Sequence, residues 1–136
     1  MDRRELHRFM VQQKLAVVSS IGADGTPQSA LVGIATTPDL DIVFDTVTTS
    51  RKYANLVARP RCSLVMGWSG EQTVQFEGVA ETPTGVELEW LQRVYFDAWP
   101  DGPARLSWPG ITYFVVRPRW IRFSDFDKNP PLIVVL

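Results

Sequence analysis

Ile42-Val43-Phe44-Asp45-Thr46-Val47-Thr48-Thr49-Ser50-Arg51-Lys52-Tyr53-Ala54-Asn55-Leu56 is the stretch around which the chain is organised. It opens with three apolar residues, passes through a hydroxyl-rich run and reaches two adjacent cations. From there Tyr53, Leu56 and Val57 repeat at helical spacing, and Pro60 marks where that helix has ended. Thr49 or Ser50 supplies the N-cap. The first turn of a helix leaves backbone N–H groups unpaired, and its dipole favours negative charge there. Hydroxyls at the cap add donors. Arg51 can grip a phosphate with two parallel hydrogen bonds, and Lys52 adds a mobile point charge. The segment therefore reads as a strand leading into an anion cradle, or more plainly as a solvated helix start that carries Arg-Lys.

Working outward, the 136 residues suit one domain, 1–136, with a hydrophobic core. The formal net charge of -1 argues against nucleic-acid binding and against an anionic membrane surface, both of which need a basic face. Cys62 is the one cysteine, so no internal disulfide is possible. The N-terminal Asp2-Arg3-Arg4-Glu5-Leu6-His7-Arg8 has no apolar segment of the signal-peptide type, and no stretch approaches the roughly 20 apolar residues of a membrane span. A cytoplasmic protein is expected.

Upstream, Leu6, Phe9, Met10 and Gln13 share one face of a short helix over residues 2–13. Residues 15–21 (L-A-V-V-S-S-I) read as a strand, Asp24-Gly25 as the tip of a hairpin, and Pro27 as the start of the next strand, 28–35. A third strand covers 41–46. Downstream of the cradle helix, 61–68 is a fourth strand, and 73–81 (T-V-Q-F-E-G-V-A-E) is a period-2 strand with Val74, Phe76, Gly78 and Ala80 on one face. A helix opening at Thr84 or Gly85 and running to Ala98 carries the stripe Val86, Trp90, Leu91, Val94, Tyr95 and Ala98. Two strands, 111–117 and 120–123, are expected on either side of a break at Pro118. The apolar tail Leu132-Ile133-Val134-Val135-Leu136 is expected to pack as a strand or against a second subunit. Short strands joined by tight turns favour an antiparallel sheet that closes to remove its edges.

The order of these segments resembles the pyridoxamine 5'-phosphate oxidase-like family of FMN-binding split barrels. The residues that carry the resemblance are the strand pair around Asp24-Gly25-x-Pro27, the strand end Phe44-Asp45-Thr46, Ser50-Arg51-Lys52, Asn55-Leu56, Arg59-Pro60-Arg61-Cys62-Ser63-Leu64, and Val74 to Glu81. The resemblance implies a mainly β fold: a six- to seven-stranded antiparallel split β-barrel with peripheral helices. It also implies a homodimer, with FMN in the clefts between subunits. On that pattern Ser50, Arg51 and Lys52 bind the FMN phosphate. Ser29, Ala30, Leu31 and Val32 line the isoalloxazine ring with main-chain groups. Asp45 and Thr46 lie near the ring or ribityl chain, Asn55 reaches in from the helix, and Gln72, Thr73 or Gln75 comes from the partner subunit.

The departures from the family are informative. True pyridoxamine phosphate oxidases carry Arg and Lys on the second strand, where this chain has Ala30 and Ala35, and a substrate-binding Arg and His that residues 124–136 lack. Vitamin synthesis is therefore not expected. Arg117-Pro118-Arg119-Trp120-Ile121-Arg122 is the other dense cationic run, expected on a solvated face. His7 stands alone, so no Ser/His/Asp triad or histidine metal site is expected and His7 is read as a surface residue. Cys62 reads as a buried, inert thiol. Trp90 is expected in the core. Trp68, Trp99, Trp108 and Trp120 fall near turns or strand ends, where they either pack an interface or stack on a flavin or flat substrate. A cradle without a catalytic dyad suits a flavin protein, because the cofactor carries the redox chemistry. The expected function is an FMN-dependent oxidoreductase acting on a small molecule. The alternatives are an 8-hydroxy-5-deazaflavin-dependent reductase, whose acidic tail would need Arg59 and Arg61, and a non-catalytic flavin or small-ligand binder.

Overall fold

The computed structural model describes residues 1–136. Asp2 caps the first helix, α1 (Arg3–Gln12), through a reciprocal box in which its carboxylate accepts from the Glu5 N–H while Glu5 accepts from the Asp2 N–H. Eight strands follow with two more helices: β1 (Leu15–Ile21), β2 (Pro27–Gly33), β3 (Ala35–Thr36), β4 (Ile42–Val47), α2 (Arg51–Ala58), β5 (Arg61–Met66), β6 (Gln72–Glu81), α3 (Gly85–Ala98), β7 (Ile111–Asp125) and β8 (Leu132–Val135). A 3-10 turn, Gly102–Ser107, links α3 to β7. No helix is long and apolar enough to cross a membrane.

All strand pairs are antiparallel, in the order β2-β1-β5-β6-β7-β4-β3, with β8 on the remaining edge of β7. The two ends of that order, β2 and β3, are separated only by Ile34. One bent run, 27–36, thus pairs with β1 in its first half and with β4 in its second, so the sheet curls back on itself as a split barrel. Alternate residues fill it, among them Val18, Phe44, Met66, Phe76, Phe114 and Phe123, joined by Leu6 and Met10 from α1 and Leu56 from α2. Each such side chain contributes about 1.5–3 kcal/mol by leaving water. A second, smaller core lies outside the barrel, where Leu91 and Tyr95 of α3 cover Val43, Tyr113 and Val115.

Three expectations are corrected here. Pro118 does not break the last long strand. β6 pairs with β7 along its whole length, and a bulge at Glu77/Gly78 passes over Arg119, so that Gly78 sits opposite Pro118. A Cβ on Gly78 would run into the Arg117 carbonyl, so only glycine lets the bulged strand come so close. The stripe of α3 is only in part the expected one. Val86 is 80% exposed and Trp90 40% exposed, whereas Leu91, Val94, Tyr95 and Ala98 of the expected stripe do pack, joined by Leu88 and Phe96. The helix lies on the barrel's outer wall, so one narrow strip is buried and Trp90 falls outside it. The second strand ends at Gly33 rather than Ala35, because the bend at Ile34 moves Ala35 and Thr36 onto β4. The apolar tail does pack as a strand, β8, against Arg122–Asp125 of β7.

Candidate functional site

α2 begins where β4 ends, and its first turn faces the edge of β2 that β1 does not pair. Between them lies a cleft of 120 Å³ lined by Val18, Ser20, Gln28, Ser29, Ala30, Arg51 and Lys52. The edge matters chemically. In an extended strand alternate residues direct their N–H and C=O groups to opposite sides, so a bare edge presents a row of donors and acceptors.

Ser50 is the N-cap of α2, and its Oγ accepts from the Tyr53 N–H at 3.2 Å and from the Thr46 hydroxyl at 2.9 Å. A hydroxyl has two acceptor lone pairs and one proton. Both lone pairs are thus occupied, and the Ser50 proton is left as a donor at the head of the helix. Arg51 is exposed and Lys52 half-buried, and neither side chain makes an ion pair or hydrogen bond within the chain. Burial holds the Lys52 ammonium below the ordinary lysine value of 10.5. An unpaired, partly desolvated cation beside a free hydroxyl and helix N–H groups is an arrangement that an anion completes.

The helix is held in place by Asn55. It is 5% exposed, and its amide nitrogen donates to the Ser20 hydroxyl at 3.0 Å and to Gln28 Oε1 at 2.9 Å. Its side-chain protons are committed to the two strands behind the cleft, so Asn55 supports the site. Gln28 and Ser20 were not legible as site residues. They are ordinary polar positions on strands, and only the docking of α2 brings them to the cleft.

The other expected residues are spread over three surfaces. Val32 points into the core, while Leu31 is 60% exposed on the outer face of the sheet. Thr46 shares a side with Phe44 and serves the cap. Asp45 points the opposite way, under α3, where it accepts from Arg105 Nε at 2.8 Å and from the Tyr95 hydroxyl at 3.1 Å. Gln72 donates to Asp125 and Thr73 to the Met66 carbonyl. Thr73 and Gln75 line an open groove of 360 Å³ on the outer face with Val17, Ser19 and Val65. Within the chain that groove is separate from the α2 cleft; the two approach each other at the 2.8 Å Ser19–Ser29 hydroxyl pair.

The remaining candidates are also placed. Arg117 is not on a solvated face: it pairs with Asp41, Glu81 and Glu87 at 3.0, 3.1 and 2.8 Å. Burial still raises the Asp41 carboxyl above its usual range despite that partner. Cys62 is partly buried, and desolvation pushes its thiol up to about 12, in line with an inert cysteine. His7 is half-buried rather than a free surface residue, with an enclosed Nε2 that has no partner. Trp99 stacks over Gly33 and donates to the Ile34 carbonyl, so it packs the bend rather than a ligand, while Trp68 and Trp108 are exposed. The largest concavity, 670 Å³, lies on the outer face between Arg61 and the bulged Arg119. Neither arginine has an ion-pair partner, whereas Arg59 already donates to the Ile21 carbonyl.

Comparison with known proteins bears on this arrangement. Pyridoxine/pyridoxamine 5'-phosphate oxidase of Bordetella pertussis is 31% identical over 121 residues, which cover 84% of this chain and 56% of that protein. The corresponding protein of Thermosynechococcus vestitus is 33% identical over 92 residues, 67% of this chain and 42% of that one. The chain thus spans about half the length of the curated relatives it matches. Among solved structures, a heme binding protein from Mycobacterium smegmatis superposes with a TM-score of 0.85 at 18% identity, over 98% of this chain and 57% of that one. A heme storage protein from Vibrio cholerae gives 0.75 at 13% identity, over 85% and 89%. At such identities the likeness is one of fold. The family model described as pyridoxamine 5'-phosphate oxidase matches residues 3–125, which take in β1 to β7 and the cleft, and the chain belongs to that family.

Proposed function

We propose that this protein binds FMN in the cleft between α2 and β2 and works as a flavin-dependent oxidoreductase on a small molecule. The observation that carries the reading is the pair Arg51 and Lys52, unpaired at the head of a helix whose cap serine keeps a free proton. Ser50, Arg51 and Lys52 would hold the phosphate, and the bare edge of β2 at Ser29 and Ala30 would meet the polar rim of the ring. Bound flavin would supply hydride or electron transfer, and the protein its position and electrostatics.

A 120 Å³ cleft is small for a whole flavin, and a second copy of the chain would complete it. The outer sheet face leaves Leu31, Val65, Ile133 and Val135 exposed with no helix over them, and the sequence-expected partner residues Thr73 and Gln75 lie on that face. A homodimer that buries this face is part of the proposal. A cytoplasmic setting goes with the free thiol of Cys62.

One observation favours a second reading. The Arg61–Arg119 groove, which Glu77 also lines, offers two unpaired guanidinium groups to the acidic tail of an 8-hydroxy-5-deazaflavin, with Arg119 in the place expected of Arg59. Haem, named for the M. smegmatis and V. cholerae structures, is the contrasting ligand; the sole histidine here lies on α1, along a different groove.

The deciding experiment is an absorbance spectrum of the purified protein after excess FMN and desalting, with deazaflavin and haemin titrated alongside. Retained flavin bands, lost in Arg51→Ala and Lys52→Ala, are the expected result. Each variant removes a charge-assisted contact of about 1.5–3 kcal/mol. Retention of deazaflavin alone would select the second reading. Unchanged FMN affinity in both variants would remove the phosphate assignment.

A further inference from the structure

A second cationic site lies on α1, independent of the cleft. Arg3, Arg4, His7 and Arg8 line a groove of 550 Å³ bounded by Pro38. We propose that this groove binds a small organic polyanion of the oligophosphate class.

The charge pattern is the first support. Arg4 and Arg8 stand one turn apart, where like charges repel, and Arg3 and Arg4 lie in the first turn, at the positive end of the helix dipole. The helix carries this arrangement without local neutralisation. Its own carboxylates, Asp2 and Glu5, are spent on the capping box, and Glu5 lies 3.9 Å from the terminal ammonium. Arg3 gives one nitrogen to the Asp39 carbonyl at 3.2 Å, while Arg4 and Arg8 make no ion pair or side-chain hydrogen bond. The nearby carboxylates of Asp39 and Asp97 pair with none of the three.

The second support is the floor. Past His7, Val11 and Pro38 the groove runs on into another of 320 Å³, lined by Lys14 and Thr36. Thr36 is 7% exposed, and its hydroxyl has no hydrogen-bond partner; the enclosed Nε2 of His7 has none either. Buried polar groups in a folded protein are rarely left so, and both of these belong to residues that line this continuous depression. Two guanidinium forks a helical turn apart suit adjacent phosphates, which each can grip in a planar pair of bonds. The concave volume falls in the range of small-molecule sites.

The test is an NMR titration of the full chain with inorganic tripolyphosphate at about 0.15 M ionic strength, where weak surface attraction is screened. Saturable shifts around Arg4, His7 and Arg8 are expected. Affinity read from the shifts around Arg4, His7 and Arg8 should be at least about tenfold weaker in Arg4→Gln/Arg8→Gln. Thr36→Val, which removes no charge, should weaken it as well. Shifts confined to the first turn of α2, or binding undiminished in Arg4→Gln/Arg8→Gln, would overturn the site. Equal affinity for citrate would overturn the oligophosphate class, and preference for an oligoglutamate peptide would overturn the small ligand. Arg4 and Arg8 are exposed, so the double variant should keep a dispersed native spectrum.

Discussion

Replacing Lys52 by methionine should move ligand affinity and unliganded stability in opposite directions. Methionine keeps the bulk of the side chain and removes the charge. The lost contact to a bound phosphate is worth about 1.5–3 kcal/mol, so FMN affinity should fall about 10- to 150-fold. Without ligand the ammonium is half-buried with no counter-charge, so its removal relieves a cost instead of breaking a pair. The unliganded variant should melt at the same temperature or slightly above the parent.

The pH dependence carries the sharper test. Burial lowers the Lys52 pKa in the folded, unliganded protein relative to the unfolded chain. Below the lowered value both states are protonated and the desolvation penalty is fully present. Above it, and up to the ordinary 10.5, the unfolded chain holds more protons, so stability rises with pH by linkage. Phosphate beside the ammonium raises its pKa again. Binding in that window therefore takes up a proton, and affinity falls as pH rises. Isothermal titration with FMN across this range, paired with thermal melts, reads both slopes. In Lys52→Arg the alkaline fall in affinity should disappear, because guanidinium stays charged. If the fall persists unchanged in Lys52→Arg and Lys52→Met, the titrating group is elsewhere and the cradle assignment fails.

Thr46→Val should weaken FMN binding severalfold at a stability cost of about 1 kcal/mol, since it frees one lone pair of Ser50 and lets the serine proton turn away; titration calorimetry and melts check both halves. Asn55→Leu should cost about 1–3 kcal/mol in chemical denaturation by stranding Ser20 and Gln28, and affinity should fall with it as α2 loosens. Arg117→Leu should also destabilise, by about 1–3 kcal/mol, because Asp41 loses its only cation, but flavin affinity should hold. A loss of affinity there would mean that the outer wall and the cleft are coupled.

Much of the fold is legible in the chain because its strands bury one face each. Val74, Phe76, Gly78 and Ala80 announce their strand by period 2, and Asp24-Gly25 announces its hairpin, with Gly25 at a φ of 83°. The cradle is equally local, since a cap, two cations and a helix stripe occupy consecutive residues. Non-local relations are what fail to show. Pro118 reads as a breaker because its partner Gly78 lies far away in sequence, and only the pairing of the two makes a bulge. Asp45 enters the expected site through the family resemblance alone; adjacent strand residues face opposite ways, and the Arg105 that pairs with its carboxylate comes from a turn far along the chain. Trp90 joins the expected stripe by helical spacing, but α3 fully buries only Leu91 and Tyr95 against the barrel.

The unpaired cations at the cleft admit one competing explanation, and the structure weighs against it. β2 is an edge strand, and proteins often guard such edges with charged residues, lysine above all, to prevent strand-to-strand aggregation. A guarding charge works by staying solvated, so it needs no hydrogen-bonded surroundings and should keep its ordinary pKa. Arg51 is exposed, as a solvated guard would be. Lys52 is not: it is half-buried and its pKa is depressed by desolvation. It also stands beside a serine whose lone pairs are both occupied from within the chain. Thr46 has no part in guarding an edge, yet its hydroxyl is what leaves the Ser50 proton free to donate. A guard would be insensitive to Thr46→Val and would lose protection in Lys52→Met; an anion site loses ligand in both.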